Sequence, residues 1–318
     1  VTGFSAEWLA LREPADARAR DAELCAQLAQ LARGAHAHSP SRFIDLACGT
    51  GANVRYLAPR VGGDQQWLLV DNDVALLDRA RSALPHRAGG DSLVPVDDVR
   101  ADDAVRGRVG ATPREGACRA EVAGCRIEAR SLDLATELHT LDFAHGVVVT
   151  ASALLDLVSH EWLAQLVEQC RANRCTALFA LSYAGRIALT PSDPDDEWIR
   201  QLVNRHQLGD KGFGPALGPA ASRRASSLFS EAGYHVRTAR SDWNLLPTEH
   251  LLQGALLEGW ANAAAELAPG EADRCKRWLT RRLAHVANES SRIRVGHEDV
   301  LAWPQEANSS EPAVPPKP

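Results

Sequence analysis

The chain has 318 residues, 45% of them hydrophobic, enough to bury a sizeable core as one large domain, with or without an insertion. Its 35 basic and 41 acidic residues leave a net charge of −6, which argues against a nucleic-acid or anionic-membrane partner. Seven cysteines, an odd number without CxxC or metal-ligand spacing, read as free thiols of a reducing, cytoplasmic protein with no metal site. No apolar run reaches about 18 residues and Val1-Thr2-Gly3-Phe4 carries no basic, apolar leader, so neither a membrane span nor a secretion signal is expected.

Residues Phe4 to Leu11 read as a short helix that stops before Arg12-Glu13-Pro14, with Pro14 suited to the first turn of a new helix. From Ala15 to Arg33 the spacing of Leu24, Leu28 and Leu31 is that of an amphipathic helix, which Gly34 ends. Phe43-Ile44-Asp45-Leu46 then begins a run whose apolar character fits a strand covered on both faces. The run continues as Ala47-Cys48-Gly49-Thr50-Gly51-Ala52-Asn53. Its two glycines allow a tight turn and close approach of a ligand to the backbone, and the following helix offers free N–H groups and a positive dipole end. A second buried strand, Gln66 to Val70, ends in Asp71-Asn72-Asp73. Asp71 stands 20 residues after Gly51, the spacing at which nucleotide-binding α/β folds place a ribose-binding carboxylate. Asp73 is the better N-cap for the helix predicted over Val74 to Leu84.

The stretch Phe43 to Asn53 resembles the first motif of class I S-adenosylmethionine-dependent methyltransferases, an apolar strand with an acid followed by Gly-x-Gly-x-Gly. Asp45 is the acid, Ala47 stands where the first glycine would be, and Gly49 and Gly51 are the other two. A dinucleotide dehydrogenase wants a further glycine three residues after the second, and Ala52-Asn53-Val54 lacks it. The resemblance implies an α/β, doubly wound, mostly parallel Rossmann-like methyltransferase sheet preceded by helices that cover the cofactor, S-adenosyl-L-methionine. It implies that Asp45, Ala47, Gly49 and Gly51 approach the methionyl part and that Asp71, with Asn72 beside it, holds the ribose. It also implies that one of Arg12, Arg18 and Arg20, with Arg20 favoured, pairs with the methionyl carboxylate.

His86 to Gly116, rich in Asp, Arg, Gly and Pro without a sustained period, reads as a flexible insertion. A hairpin over Cys118 to Val122 and Cys125 to Arg130 leads to Ser131-Leu132-Asp133-Leu134. There the resemblance implies that Asp133 accepts from the adenine amino group while Leu132 or Leu134 packs on the ring. Phe143 to Thr150 is the fourth strand, and Thr150 to Asp156 should line the transfer chamber, because ligands of open α/β sheets sit at the carboxyl ends of strands beside the switch in strand order. The segment is not the Asn/Asp-Pro-Pro-aromatic motif of enzymes that methylate nucleobase amines, a further argument against a nucleic-acid substrate.

A helix over Trp162 to Arg171, a fifth strand over Thr176 to Tyr183 and a charged helix over Asp193 to His206 follow. His206 to Pro219, with Gly209, Gly212, Gly214 and Gly218 around Phe213, reads as a lid or substrate loop. A helix over Ala220 to Ala232 and a sixth strand over Tyr234 to Arg240 come next. Two amphipathic helices, Leu251 to Leu267 and Glu271 to Asn288, make a helical insertion over 245–290, and the basic run Arg274, Lys276, Arg277, Arg281 and Arg282 reads as a solvated face. Arg292 to Val295 is the last strand. The whole is expected to be a single domain over 1–303, with a disordered Pro- and Ser-rich tail over 304–318.

The implied reaction is methyl transfer to a small-molecule acceptor by in-line displacement, driven mainly by alignment of the reacting atoms. A base is needed only where the nucleophile carries a proton, and Asp156, His160, Tyr183 and His206 are the candidates. Two other classes stay open: a non-catalytic cofactor-binding or regulatory protein of the same fold, and a nicotinamide-nucleotide oxidoreductase.

Overall fold

The structure, a computed structural model, describes residues 4–35, 39–83, 118–122 and 125–305. Two helices open it, α1 (Ala6–Ala19) and α2 (Ala22–Ala35). Strands and helices then alternate through β1 (Ser41–Leu46), α3 (Ala52–Val61), β2 (Gln65–Asp71) and α4 (Val74–Ala83). The hairpin β3 (Cys118–Val122) and β4 (Cys125–Ser131) leads to the short α5 (Leu134–Glu137), β5 (Val148–Ser152), α6 (His160–Ala172) and β6 (Thr176–Thr190). The chain ends with α7 (Asp196–His206), α8 (Ala221–Glu231), β7 (Tyr234–Arg240), β8 (Trp243–Leu245), α9 (His250–Leu267), α10 (Ala272–Ala287) and β9 (Arg292–Pro304). The insertion expected at 86–116 lies outside the described residues, as does 306–318 of the tail expected over 304–318, whose first residue, Pro304, instead ends β9.

The strands form one sheet in the order β3-β4-β2-β1-β5-β6-β9-β7, with β8 paired to β9. From β4 to β6 neighbouring strands are parallel. β9 runs antiparallel to both β6 and β7, and β3 antiparallel to β4. This is a doubly wound, mostly parallel Rossmann-like sheet, and the strand order reverses between β1 and β5. Alternate residues feed the two faces, as the strand period of two requires. Phe43, Trp67, Leu69, Val148 and Leu178 pack under α2, α3 and α4, and Phe43 stacks on Trp67 with ring centroids 4.1 Å apart. Ile44, Val70, Val147, Val149 and Phe179 face α6 and α8 on the other side.

A third core lies beyond the sheet body. β6 and β9 continue as a two-stranded ribbon joined by β8, and α7, α9 and α10 close over it around Trp243, Leu245, Leu257, Trp278, Ile293 and Val295. The helical insertion expected at 245–290 is therefore part of a larger module that includes α7 and is completed by Ala15 of α1.

Three expectations change. α1 runs unbroken through Pro14, and the break falls at Arg20 instead. Trp8, Leu11, Ala15 and Ala19 keep one apolar stripe on the third core, and that packing outweighs the hydrogen bond that proline cannot donate. β6 is 15 residues long and does not end at Tyr183, and β9 is 13 residues long and does not end at Val295. The polar run Gly296-His297-Glu298-Asp299 beyond the expected end lies in a strand flanked by β6 and β7, with His297 and Asp299 buried.

Candidate functional site

At the carboxyl ends of β1 and β5 the backbone turns sharply. Ala47, Gly49 and Gly51 all have positive φ, of 50°, 54° and 78°. A side chain on Gly49 would stand 3.0 Å from Leu9 of α1, and one on Gly51 would stand 3.3 Å from Ala80 of α4. Gly49 thus admits the close approach of the covering helix, while Gly51 starts α3 and lets α4 pack against it. The Gly49 N–H donates to Asp71 Oδ2 at 2.8 Å and the Asp73 N–H to Asp71 Oδ1 at 3.0 Å, so the acid at the end of β2 holds the glycine loop. Burial raises the Asp71 carboxyl above its usual range. Asp73 caps α4, accepting from Ala75 N–H at 2.8 Å.

Beside the loop a buried polar chain crosses from the first helices to the sheet. Arg20 donates from Nη1 to Asn53 Oδ1 at 2.5 Å and from Nη2 to Ser152 Oγ at 3.0 Å. Asn53 Nδ2 donates to Asp45 Oδ1 at 2.6 Å, and Thr150 Oγ1 donates to the same oxygen at 2.8 Å. Asp45 is fully buried, and desolvation pushes its carboxyl up to about 6 against the bonds from Asn53 and Thr150. Asp45 Oδ2 and Arg20 Nε are buried without a hydrogen-bond partner. Buried polar groups are ordinarily paired, so two charged-group orphans of opposite character beside one loop make this a candidate ligand site.

A cavity of about 60 Å³ opens there, lined by Asp45, Ala47, Gly49, Asn53, Ser152 and Ala153 from the sheet side and by Leu9, Arg12 and Asp16 of α1. Ligand pockets usually span roughly 300–1,000 Å³, so α1 closes this one. The helix is fastened by Glu13, which takes a bidentate pair from Arg55 at 2.8 and 2.6 Å, and by Glu7 with Arg79 at 3.1 Å. Arg18 pairs with Glu249 of the helical module, away from the cavity. A larger concavity, about 1150 Å³, lies at the opposite end of the sheet around Arg174, His235 and Trp303. It is at the amino ends of the parallel strands, where open α/β sheets do not bind their ligands, and none of the buried orphan groups lines it.

Beside Arg12 and Asp16 the structure assembles residues that sequence spacing does not connect. Arg12 makes a two-pronged pair with Asp16, at 2.9 and 3.2 Å, and lies over the Trp243 ring at 5.1 Å. Trp243 Nε1 donates to Asp16 Oδ1 at 3.0 Å, and its ring meets His297 with centroids 4.9 Å apart. Tyr183 meets the same imidazole at 6.4 Å. Burial, reinforced by the Arg12 charge, lowers His297 to about 3, so the ring is neutral, and its Nδ1 has no partner. Asp156 is buried, accepts from the Tyr183 N–H at 3.3 Å and is pushed up to about 6 by desolvation. The Tyr183 hydroxyl donates to Asn204 at 2.7 Å, and burial holds it far above the ordinary phenol range.

Other anticipated site residues stand elsewhere. His206 pairs with Glu266 at 3.0 Å on the surface of the helical module, and His160 is held by Arg224 at 3.0 Å. The loop after His206 turns Phe213 against Trp162 of α6, with centroids 5.4 Å apart, and not over the cavity. Leu217 and Gly218 N–H groups bond Val158 and Asp156 carbonyls at 2.8 and 3.0 Å, so the loop braces the segment after β5. Asp133 is exposed and caps α5, accepting from Ala135 N–H at 3.0 Å and from Thr136 Oγ1 at 3.1 Å, and Leu134 is buried in the adjoining core. Asn72 follows Asp71 and is exposed. The basic run of α10 is partly spent on internal pairs: Arg274 with Asp195, Arg281 with Asp193 and Asp195, and Arg282 with Asp196.

Ser152 falls within the lining expected over Thr150 to Asp156, whereas Asn53, one turn into the helix after the glycine loop, is a site residue that the spacing did not single out. Asp16, Trp243, His297 and Asp299 had no local signal, since each depends on a partner more than 100 residues away.

No protein-family model matches the chain, and no curated protein does. Among solved structures, it is similar to a cyclopropane-fatty-acyl-phospholipid synthase-like protein from Lactobacillus casei at 13% identity, over 92% of this chain and 99% of that one, with a TM-score of 0.46. It is similar to a SAM-dependent methyltransferase from Thiobacillus denitrificans, in complex with S-adenosyl-L-homocysteine, at 13% identity over 94% and 99%, with a TM-score of 0.40. A putative sarcosine dimethylglycine methyltransferase from Galdieria sulphuraria is similar at 12% identity over 88% and 83%, with a TM-score of 0.38.

Proposed function

We propose that the chain is an S-adenosyl-L-methionine-dependent methyltransferase acting on a small-molecule acceptor. The observation that carries this reading is the pair of orphans beside the glycine loop, Asp45 Oδ2 and Arg20 Nε. A free amino acid end carries an ammonium and a carboxylate, and the two orphans are an acceptor and a donor of matching sign. Asp71 stands where a ribose would need its acceptor, already turned towards the loop by Gly49. Asp133 is proposed for the adenine amino group and Leu134 for the ring, a role that Asp133 would combine with capping α5.

The bound cofactor supplies an electrophilic methyl group. This chain's part is to fix the methionyl end with Asp45 and Arg20, keep water out with Leu9 and α1, and present the acceptor from the side of β5 and β6. Arg12 and Asp16 line the cavity on that side, and Trp243, His297 and Tyr183 pack behind them. Neutral His297, lowered to about 3, is suited only to accept a hydrogen bond from the acceptor, while Asp156, raised to about 6, is the group suited to take its proton, and both take precedence over His206. Because the cavity is small, α1 has to swing outward to admit the cofactor.

Calorimetric titration with S-adenosyl-L-homocysteine, in competition with NAD, tests the reading, together with transfer of a tritiated methyl group to a small-molecule panel. Binding of the homocysteine compound that NAD does not displace is the expected result. NAD binding alone would replace the reading with an oxidoreductase, and binding without any transfer would favour a regulatory protein.

A further inference from the structure

Asp299 lies near the middle of β9, 1% exposed, and each of its oxygens takes a backbone N–H from a distant segment. Oδ2 accepts from Asp21 at 3.1 Å, and Oδ1 accepts from Leu181 at 2.8 Å. Asp21 is the residue after Arg20, in the turn between α1 and α2. Leu181 sits at a register break of β6, with φ of 57°, where the pairing with β9 skips from Phe179 to Ser182. Its N–H is one that the interrupted ladder leaves without a strand partner, and a buried N–H must find one.

The two attachment points matter for what they carry. Arg20 hangs from the first, and its guanidinium reaches Asn53 and Ser152 in the cavity wall. The second fixes the β6 bulge, and Ala180, just before it, accepts from the Ala153 N–H at 2.9 Å, which holds the Ser152-Ala153 rim. Arg20 approaches Ser152 from the helices, and the rim approaches Arg20 from the sheet. One carboxylate therefore sets the separation between them from both sides. Only a carboxylate can do so, because asparagine would turn an NH₂ group against one of the two N–H donors.

We propose that Asp299 is a positioning residue that holds Arg20 against the β5–β6 rim, and so aims the Arg20 guanidinium at the methionyl carboxylate. This rests on the cofactor reading above. It assigns Asp299 no contact with the ligand, so its effect must pass through Arg20.

The test is a double-mutant cycle on S-adenosyl-L-homocysteine affinity in the full chain, with Asp299→Asn, Arg20→Ala and both together. Asp299→Asn should weaken binding about tenfold, and the double variant should bind no more weakly than Arg20→Ala alone. Effects that multiply would overturn the proposal, because a residue that only supports the fold acts independently of Arg20. Amide hydrogen exchange gives a second readout without ligand: the Asp21 and Leu181 amides should lose protection together in Asp299→Asn, and unchanged protection at either would overturn it. Should Asp299→Asn fail to fold, Asp21→Pro removes one of the donors from the other side, since Arg20 already has φ −58° and ψ 141°, the extended geometry required before proline. That variant also loses the α2 cap that Asp21 gives to Leu24 at 2.8 Å, a loss that lowers stability but creates no coupling to Arg20. The same non-additivity is expected of it, and additivity overturns the proposal. If the parent chain does not bind S-adenosyl-L-homocysteine, the cofactor reading fails, and the bracket is judged on amide exchange alone.

Discussion

Asp196 and Asp45 are both carboxylates drawn away from solvent, and the molecule treats them in opposite ways. Asp196, at the start of α7, is fully answered: Arg282 Nε and Trp278 Nε1 donate to Oδ1 at 3.0 and 2.9 Å, and the Asp193 side of the turn adds a backbone N–H to Oδ2 at 2.8 Å. Arg282, 1% exposed, uses its remaining group on the Pro191 carbonyl at 2.5 Å. Asp45 has one oxygen satisfied and one bare. The helical module spends its charges on holding itself together, whereas the loop side keeps an acceptor and a donor unspent. Burial of charge alone does not mark function; a buried acceptor and donor of charged groups left unpaired beside one loop are the better candidates for it.

The largest expected effect breaks the satisfied cluster. Arg282→Met leaves Asp196 with its charge and without its counterion, and removing one partner of a buried pair typically costs about 3–5 kcal/mol. Asp196 keeps 21% side-chain exposure and two neutral donors, which places this case near about 3 kcal/mol. Denaturant unfolding should show the loss, while the folded fraction binds S-adenosyl-L-homocysteine as the parent does. Equal loss of affinity would show that the helical module shapes the cofactor site directly.

Next comes Asp71→Ala, which acts on the loop side. It removes the proposed ribose acceptor and also the anchor of the Gly49 N–H. A charge-assisted hydrogen bond is worth roughly 1.5–3 kcal/mol, or about ten- to a hundredfold in affinity. Stability should change less than in Arg282→Met. Unaltered S-adenosyl-L-homocysteine affinity in a folded protein would remove Asp71 from the site.

The same contrast explains what was legible beforehand. The loop side is local: Asp45, Gly49, Gly51 and Asp71 lie within 27 residues of one another, and their spacing follows from one strand, one turn and one further βα unit. The sheet core was legible for a similar reason, since strands covered on both faces are written as apolar runs. The cluster around His297 is assembled from α1, β6, β8 and β9, so Arg12, Tyr183, Trp243 and His297 meet only after the whole chain has folded. β9 hid its length because its middle carries His297 and Asp299: the Asp299 carboxylate is answered by Asp21 and Leu181 and the His297 N–H by Asp242, none of them nearby in sequence. Pro14 misled because proline speaks about one hydrogen bond, and the stripe from Trp8 to Ala19 speaks about a whole face.

A pH experiment sharpens the comparison at intermediate size. Asp45 is pushed up to about 6 in the folded chain, above the 3.8 of a free carboxyl. An ammonium ligand needs it ionised, so S-adenosyl-L-homocysteine affinity should fall about tenfold between pH 7 and pH 5. The stability of the free chain should respond in the opposite sense. The folded state holds the Asp45 proton more tightly than the unfolded state, so this residue's contribution to stability declines as pH rises from about 4 to about 6. The difference between parent and Asp45→Asn isolates it from Asp156, which titrates in the same range with the same sign. Affinity that is flat from pH 5 to pH 7 would take Asp45 out of the binding step.

The smallest effect probes the backbone at the cavity rim. Ala153 lines the cavity with φ of 54°, the left-handed region that an alanine Cβ disfavours by roughly 1–2 kcal/mol. Replacing it by glycine removes that strain but loosens the unfolded chain, which offsets about 0.4–1 kcal/mol. The balance is a gain of about 0.5 kcal/mol, a shift of one or two degrees in the unfolding midpoint of a chain this size. Ala261→Gly, in the buried interior of α9, has no strain to release and should lose about 1 kcal/mol or more from helix propensity and lost packing. The Ala153 N–H bonds the Ala180 carbonyl in either case, so the rim keeps its place and S-adenosyl-L-homocysteine affinity should stay within about threefold of the parent. Strain that is merely local is expected to yield this pattern. If Ala153→Gly instead lowers affinity tenfold while raising stability, the left-handed residue is part of how the rim is aimed, and the loop side holds strain as well as unpaired charge in readiness for its ligand.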